Sequence, residues 1–202
     1  MLRKLTLFSL IVSALVIVSC HKHNDVGGSS AQLVGNYKFV YITLQAQSTT
    51  QQTASGQTQK AVTYTNYKSV QNTGSVIFTK DSLMSKGVGY SVNTISTSYL
   101  YENGALTDSF PIPLTLTYPA SNSATKYDVI GQDSILFHGG YFMSGLSGGT
   151  AIAPPSAGRF SFKGDSLFLI SKFQQTNPPQ TSGGITTSSS ATGVATVVMV
   201  KQ

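Results

Sequence analysis

Residues 106–118 read LTDSFPIPLTLTY, and an apolar residue occupies every second position from Phe110 to Tyr118. In an extended chain the apolar side chains therefore fall on one side, and the polar side chains and the two prolines fall on the other. Alternation with a period of two predicts a half-buried β-strand. Pro111 and Pro113 have no N–H to donate to a neighbouring strand, so we expect the first half of this strand to lie at a sheet edge, a bulge or a rim.

The same alternation recurs in shorter stretches along the whole chain. No window of about a dozen residues shows the apolar spacing of an amphipathic helix. We therefore predict an all-β fold of about eight to ten strands, either an antiparallel barrel or a β-sandwich. The alternating sets are Leu33, Tyr37, Phe39 and Tyr41; Val62 and Tyr64; Phe160 and Phe162; and Val194, Val198 and Val200.

Four long polar stretches separate these apolar segments, and we predict them to be loops. They are rich in Gln, Ser, Thr and Gly, as connecting segments often are. Loops of this length are uncommon in compact domains and are often lids or binding loops. They cover residues 45–60, 119–126, 143–158 and 174–192.

Three segments resemble one another: VIFTKDSLM at 76–84, VIGQDSILF at 129–137 and FSFKGDSLF at 160–168. Each has apolar residues, a short polar turn, Asp-Ser, and then an aliphatic residue that resumes a strand. This order predicts a tight β-hairpin whose Asp accepts local backbone hydrogen bonds. The alternative is three carboxylates gathered for metal binding or acid–base chemistry; we favour turns because no second acidic residue lies nearby. The three residues are Asp81, Asp133 and Asp165.

The composition fits one folded domain and excludes several classes of protein. The 202 residues include 51 Ser or Thr, but 40% are hydrophobic, which is enough to build a core. One Cys cannot form an intramolecular disulfide or a Cys-based zinc site. With 13 Lys or Arg against 7 Asp or Glu, sparse and not clustered, we do not expect a nucleic-acid partner.

The first 19 residues are predicted to be a secretory signal peptide. Arg3 and Lys4 provide the positive start, and residues 5–18 form an apolar run shorter than the roughly 20 residues of a membrane span. The run ends in Ile-Val-Ser-Cys at 17–20, which resembles a bacterial lipobox. That resemblance implies cleavage before Cys20 and lipidation of its thiol, which would anchor the protein to a membrane. The alternative is an ordinary signal peptide or an uncleaved anchor with an incidental Cys20.

After Cys20 the chain is polar and rich in Gly and Ser, so residues 20–31 are predicted to be a flexible tether and residues 32–202 a single domain. His21 and His23 offer neither a third ligand nor a rigid geometry, so no metal site is predicted there. No other cofactor motif is present in the sequence.

One motif raises the question of catalysis. Residues 145–149, GLSGG, match the GxSxG nucleophile motif, but a strand–turn–helix context is missing and Ala-Pro-Pro follows at 153–155. The last His in the chain, His138, precedes Ser147, whereas that fold requires a later His. We therefore predict that the protein is not an enzyme and has no catalytic residues.

The opening strand, LVGNYKFV at 33–40, together with the hairpin segment at 160–167, resembles the lipocalin-like (calycin) lipoproteins of diderm bacteria. Gly35 matches the family's opening pattern, and Tyr37 stands where the family has Trp. The resemblance implies an eight-stranded up-and-down barrel with the first loop, residues 45–60, covering its open end. It also implies a lipid-anchored protein of the cell envelope, at the outer membrane and facing the periplasm or the exterior.

A small barrel has room for one ligand, and inward-facing aromatic rings would suit an apolar molecule or a sugar. We therefore expect a non-catalytic lipoprotein that binds such a small ligand or an envelope protein. The alternative is a β-sandwich accessory lipoprotein that recognises a glycan or another surface protein. The same rings could simply be core residues. The candidates for the lining are Tyr37, Phe39, Tyr41, Tyr90, Phe110 and Tyr118.

Overall fold

A computed structural model describes residues 30–139 and 156–202. One short helix and nine strands make up this part of the chain, which confirms the all-β class. Within it, no helix is long and apolar enough to cross a membrane. The elements are α1 (Ser30–Leu33), β1 (Gly35–Ala54), β2 (Gln57–Lys68), β3 (Val70–Phe78), β4 (Ser82–Glu102), β5 (Ala105–Ile130), β6 (Ser134–Phe137), β7 (Ser156–Lys163), β8 (Ser166–Ser182) and β9 (Ile185–Lys201).

Eight of the strands form a ring of antiparallel pairs in the order β1, β3, β4, β5, β6, β7, β8 and β9, with β9 pairing back to β1. The second strand, β2, lies between β1 and β4 further along these strands, beyond the reach of β3. We call the part closed by β3, β6 and β7 the proximal ring. The remaining part, in the order β5-β4-β2-β1-β9-β8, is the distal sheet.

The distal sheet has two free edges. Among the described residues, β5 has no second neighbour over residues 105–125, and β8 has none over residues 171–182. Both edges carry prolines, which discourage pairing with another chain because they lack an N–H. The expectation that the proline-containing half of β5 lies at an edge is thus confirmed. The prolines are Pro111 and Pro113 on β5 and Pro178 and Pro179 on β8.

Three of the four predicted loops are strands instead, so that prediction was wrong. Residues 45–60 and 174–192 are each a long hairpin with a two-residue turn, and residues 119–126 belong to β5. Their turns are Ser55-Gly56 and Gly183-Gly184, and a third two-residue turn, Asn103-Gly104, joins β4 to β5; both residues of each turn have positive φ. Such turns match the twist of the paired strands. Most of the fourth stretch, 143–158, lies outside the described residues.

The three Asp-Ser segments are turns at the proximal end, as predicted. The backbone carbonyl of each Asp accepts a hydrogen bond from the N–H of a residue on a neighbouring strand, at 2.7 to 2.9 Å. The Asp81 carboxylate also accepts from the Ser82 and Thr79 hydroxyls, and these bonds hold the pKa of Asp81 below its ordinary value. The three pairs are Asp81 with Tyr127, Asp133 with Phe160, and Asp165 with Lys201.

The core fills the proximal ring. Tyr37, Phe78 and Tyr127 meet edge to face, with ring centroids 5.6 Å apart in each successive pair. The helix α1 closes the proximal end, because Leu33 is fully buried and its carbonyl accepts a hydrogen bond from the Tyr37 hydroxyl at 3.0 Å. The distal sheet begins where this aromatic packing ends.

Candidate ligand-binding site

A cavity of about 210 Å³ lies where the proximal core gives way to the distal sheet. Most of its wall is apolar, and the rest comes from two tyrosines, Gln47 and residues with short hydroxyl side chains. The space lies on the inner face, by which we mean the face continuous with the core. The lining includes Leu44, Thr65, Tyr67, Leu114, Leu116 and Tyr118.

Strand register explains why these side chains meet. Leu44 on β1 lies opposite Tyr67 on β2, and Tyr90 on β4 lies opposite Tyr118 on β5. Side chains alternate along a strand, and Tyr118 points inward. Every second residue of β5 therefore also points inward. The alternation from Phe110 to Tyr118 therefore gives β5 an apolar inner face.

Two buried tyrosines make this site unusual. Tyr67 and Tyr90 are only 5% and 4% exposed, yet in the described part of the chain neither hydroxyl has a hydrogen-bond partner. The Tyr90 ring lies 4.5 Å from that of Tyr118, which lines the cavity, and 6.0 Å from that of Phe39. A buried hydroxyl without a partner costs about 1–3 kcal/mol, so this arrangement favours a molecule that brings an acceptor.

The electrostatics keep both hydroxyls in the donor form. Burial raises the pKa of Tyr67 and of Tyr90 far above the ordinary value of tyrosine, and neighbouring tyrosines add to the increase. Burial also raises the pKa of Tyr118. At neutral pH the site therefore holds protonated phenols, each able to donate one hydrogen bond.

The structure brings together three of the six aromatic residues proposed from the sequence: Phe39, Tyr90 and Tyr118. Tyr37 lies deeper, in the proximal core. Tyr41 lies outside the core, where the Lys68 ammonium sits 4.0 Å from its ring centroid.

Phe110 is on the inner face but further out along β5, and it is 39% exposed. Cys20, the predicted lipidation site, lies outside the described residues, as do the signal peptide and most of the predicted tether.

Sequence reasoning missed Tyr67. The alternation of Val62 with Tyr64 was visible, but Tyr67 falls on the opposite face of the same strand. Its value as a lining residue depends on β2 pairing with β1, which places it opposite Leu44. The nearest sequence signal was the Ser55-Gly56 pair, because a two-residue turn there sets that register.

The described ranges, 30–139 and 156–202, contain no group of three His, Cys, Asp or Glu residues placed to hold a metal ion. His138 Nε2 lies 2.8 Å from Asp128 Oδ2, and both side chains are about half exposed or more. Ser147 of the GxSxG motif lies outside the described residues. The absence of enzymatic activity stays a prediction.

No family model matches the chain, and no curated protein matches it. Among solved structures, it is similar to the translocator domain of autotransporter NalP from Neisseria meningitidis, with 10% sequence identity and a TM-score of 0.25. The match covers 80% of this chain and 88% of that one. A likeness at this TM-score assigns neither family nor function.

Proposed function

We propose that this protein is a lipid-anchored lipoprotein of the cell envelope whose lipocalin-like barrel binds one small molecule without catalysis. The observation that carries the ligand-binding proposal is an apolar cavity lined by Tyr67, with Tyr90 packed against Tyr118 of its wall; both Tyr67 and Tyr90 have buried hydroxyls without a partner among the described residues. A mostly apolar wall with a few polar groups has the usual composition of a small-molecule pocket.

The size and chemistry of the cavity narrow the ligand class. Its volume, about 210 Å³, lies below the roughly 300–1,000 Å³ of pockets for drug-sized molecules. The ligand we infer has a body the size of one or two rings and one or two uncharged acceptors, such as carbonyl, ether or hydroxyl oxygens. A carboxylate or phosphate is disfavoured, because none of the described residues in the lining carries a positive charge to offset its desolvation.

The test is native mass spectrometry of the mature protein, purified in detergent from a diderm host. We expect a discrete additional mass that organic extraction removes. Leu114→Trp should abolish it by filling the cavity, whereas Ile95→Trp, at a position 65% exposed and outside the cavity, should not. An unmodified mass, with no change in melting temperature across panels of lipids and sugars, would count against a bound ligand.

The anchor has a separate test. We expect Cys20→Ser to abolish metabolic labelling with fatty acid and to release the protein from the membrane fraction, because the thiol is the proposed attachment point. Ser19→Ala keeps a small residue before the cleavage point and should remain labelled. If Cys20→Ser stayed labelled and membrane-bound, the lipoprotein assignment would be wrong.

The anchor would attach to the proximal end of the domain, because the helix α1 begins there at Ser30. The predicted tether, residues 20–31, would leave the cavity on the distal side of the core open to a ligand from the periplasm or the exterior.

A further inference from the structure

A second concave surface lies on the outer face of the distal sheet, the face opposite the cavity. We call it the outer groove; its volume is about 540 Å³. Its lining combines one aromatic ring, an exposed aliphatic side chain, amides and hydroxyls. The main lining residues are Gln45, Gln47, Tyr64, Asn66, Ile95 and Thr97.

Register places these side chains together. Gln47, Tyr64 and Thr97 form one row across β1, β2 and β4, and Gln45 lies opposite Asn66 in the next row. Along β2, Tyr64 and Asn66 alternate with Thr65 and Tyr67, which line the inner cavity. The two spaces share Ala46, Gln47 and Thr65, whereas Tyr64, Asn66, Ile95 and Thr97 line the outer groove alone.

The aromatic ring in the groove is both accessible and held in place. Tyr64 is 49% exposed and meets the edge of Tyr99 at 5.8 Å between centroids. Val62, which lies opposite Tyr99 on the same face, is only 7% exposed although it is outside the main core cluster. Beyond it, the Lys60 ammonium lies 4.9 Å from the Tyr101 ring centroid. A ring supported in this way presents a surface for stacking with little loss of side-chain freedom.

The chemistry of the lining selects a class of ligand. Side-chain amides both donate and accept hydrogen bonds, as sugar hydroxyls do, and an aromatic ring packs against the apolar face of a sugar. Among the lining residues in the described ranges, none carries a charge, which disfavours a polyanion. The volume falls within the roughly 300–1,000 Å³ of small-ligand sites, enough for one or two sugar rings.

We propose that the outer groove binds a neutral glycan. One sugar ring stacks on Tyr64 beside Ile95, and the amides of Gln45, Gln47 and Asn66 bond its hydroxyls. The proposal does not depend on the inner cavity being occupied.

The test is affinity electrophoresis of the mature protein in detergent through gels that contain a soluble β-glucan, an α-glucan, a xylan or a galactomannan. Alginate serves as the polyanion control. We expect retardation by at least one neutral polysaccharide and not by alginate. Tyr64→Ala should weaken that binding about tenfold or more, and Tyr64→Phe should retain it because the ring remains.

Two further variants guard against misfolding and indirect effects. Thr97→Trp fills the groove without removing Tyr64 and should also abolish retardation, while Leu114→Trp, in the inner cavity, should leave it unchanged. Melting temperatures report whether each variant folds. The proposal is overturned if no neutral polysaccharide retards the protein, if alginate alone does, or if folded Tyr64→Ala and Thr97→Trp bind like the wild type. Concentration-dependent self-association lost in Tyr64→Ala, without glycan binding, would assign the groove to a second copy instead.

Discussion

Replacing Phe78 with alanine is expected to lower the free energy of unfolding by about 3–5 kcal/mol, the usual cost of deleting a buried aromatic side chain. Phe78 is 1% exposed and contacts Tyr37 and Tyr127 edge to face. The strands around it are tied to one another by the proximal turns, so we expect little collapse into the space left behind. Urea unfolding followed by circular dichroism measures the change.

The matched control is Phe110→Ala. Phe110 has the same side chain on a strand of the same ring, but it is 39% exposed on the free half of β5. We expect a loss of less than about 1 kcal/mol there. Equal losses at the two positions would mean that the distal sheet carries as much of the stability as the proximal core, contrary to the burial pattern.

The strand at 106–118 shows what a local pattern can predict. Period-two alternation fixes which side chains share a face, whatever the strand pairs with. Leu114, Leu116 and Tyr118 accordingly lie together in the cavity wall. The prolines predicted an edge for an equally local reason, since a missing N–H cannot be supplied by a neighbour.

The polar hairpins could not be predicted from an alternating pattern. Residues 45–60 and 174–192 have few apolar positions, so no alternation marks them as strands, although Thr favours extended structure. Their order comes from pairing: β1 is bonded to β2 on one side and to β9 on the other along its whole distal half. The turn pairs Ser55-Gly56 and Gly183-Gly184 were the available signal, because they allow the positive φ of a two-residue hairpin.

Only part of the candidate site could be predicted from the sequence, for a related reason. Aromatic side chains at alternating positions look alike in sequence whether they fill a core or line a cavity. Register between distant strands makes the distinction: it places Tyr37 and Tyr90 in the core, the former against Phe78, and it places Tyr118, which packs against Tyr90, in the cavity wall. Tyr41 does not point to the inner face, because the pairing of β1 with β9 shifts between Phe39 and Tyr41. A bulge of this kind reverses the side to which later residues point.

Removing the unpartnered hydroxyls should stabilise the ligand-free protein, in contrast to the usual effect of core substitutions. We expect Tyr67→Phe and Tyr90→Phe each to raise the free energy of unfolding by about 1–3 kcal/mol, because each keeps the ring and removes a buried polar atom that has no partner in the described part of the chain. Tyr67→Phe should also weaken ligand binding, because Tyr67 lines the cavity and the change removes its donor. Urea unfolding after organic extraction measures the first effect, and native mass spectrometry the second. Tyr127→Phe is the control: its hydroxyl donates to the Thr79 carbonyl at 2.6 Å, so its loss should destabilise.

The pH dependence of the free energy of unfolding is an independent test of whether the Tyr67 and Tyr90 hydroxyls are buried. In the unfolded chain tyrosine ionises near pH 10, whereas burial raises the pKa of Tyr127 to about 12 and those of Tyr67 and Tyr90 higher still. Above pH 10 the unfolded state therefore binds fewer protons, and stability falls as pH rises, by up to about 1.4 kcal/mol per pH unit for each such tyrosine. The double variant Tyr67→Phe, Tyr90→Phe should lose stability less steeply between pH 10 and 12, with Tyr127 contributing to the slope that remains. An unchanged slope would mean that the two phenols ionise in the folded protein as readily as in water, and hence that they are not the buried donors on which the ligand site depends.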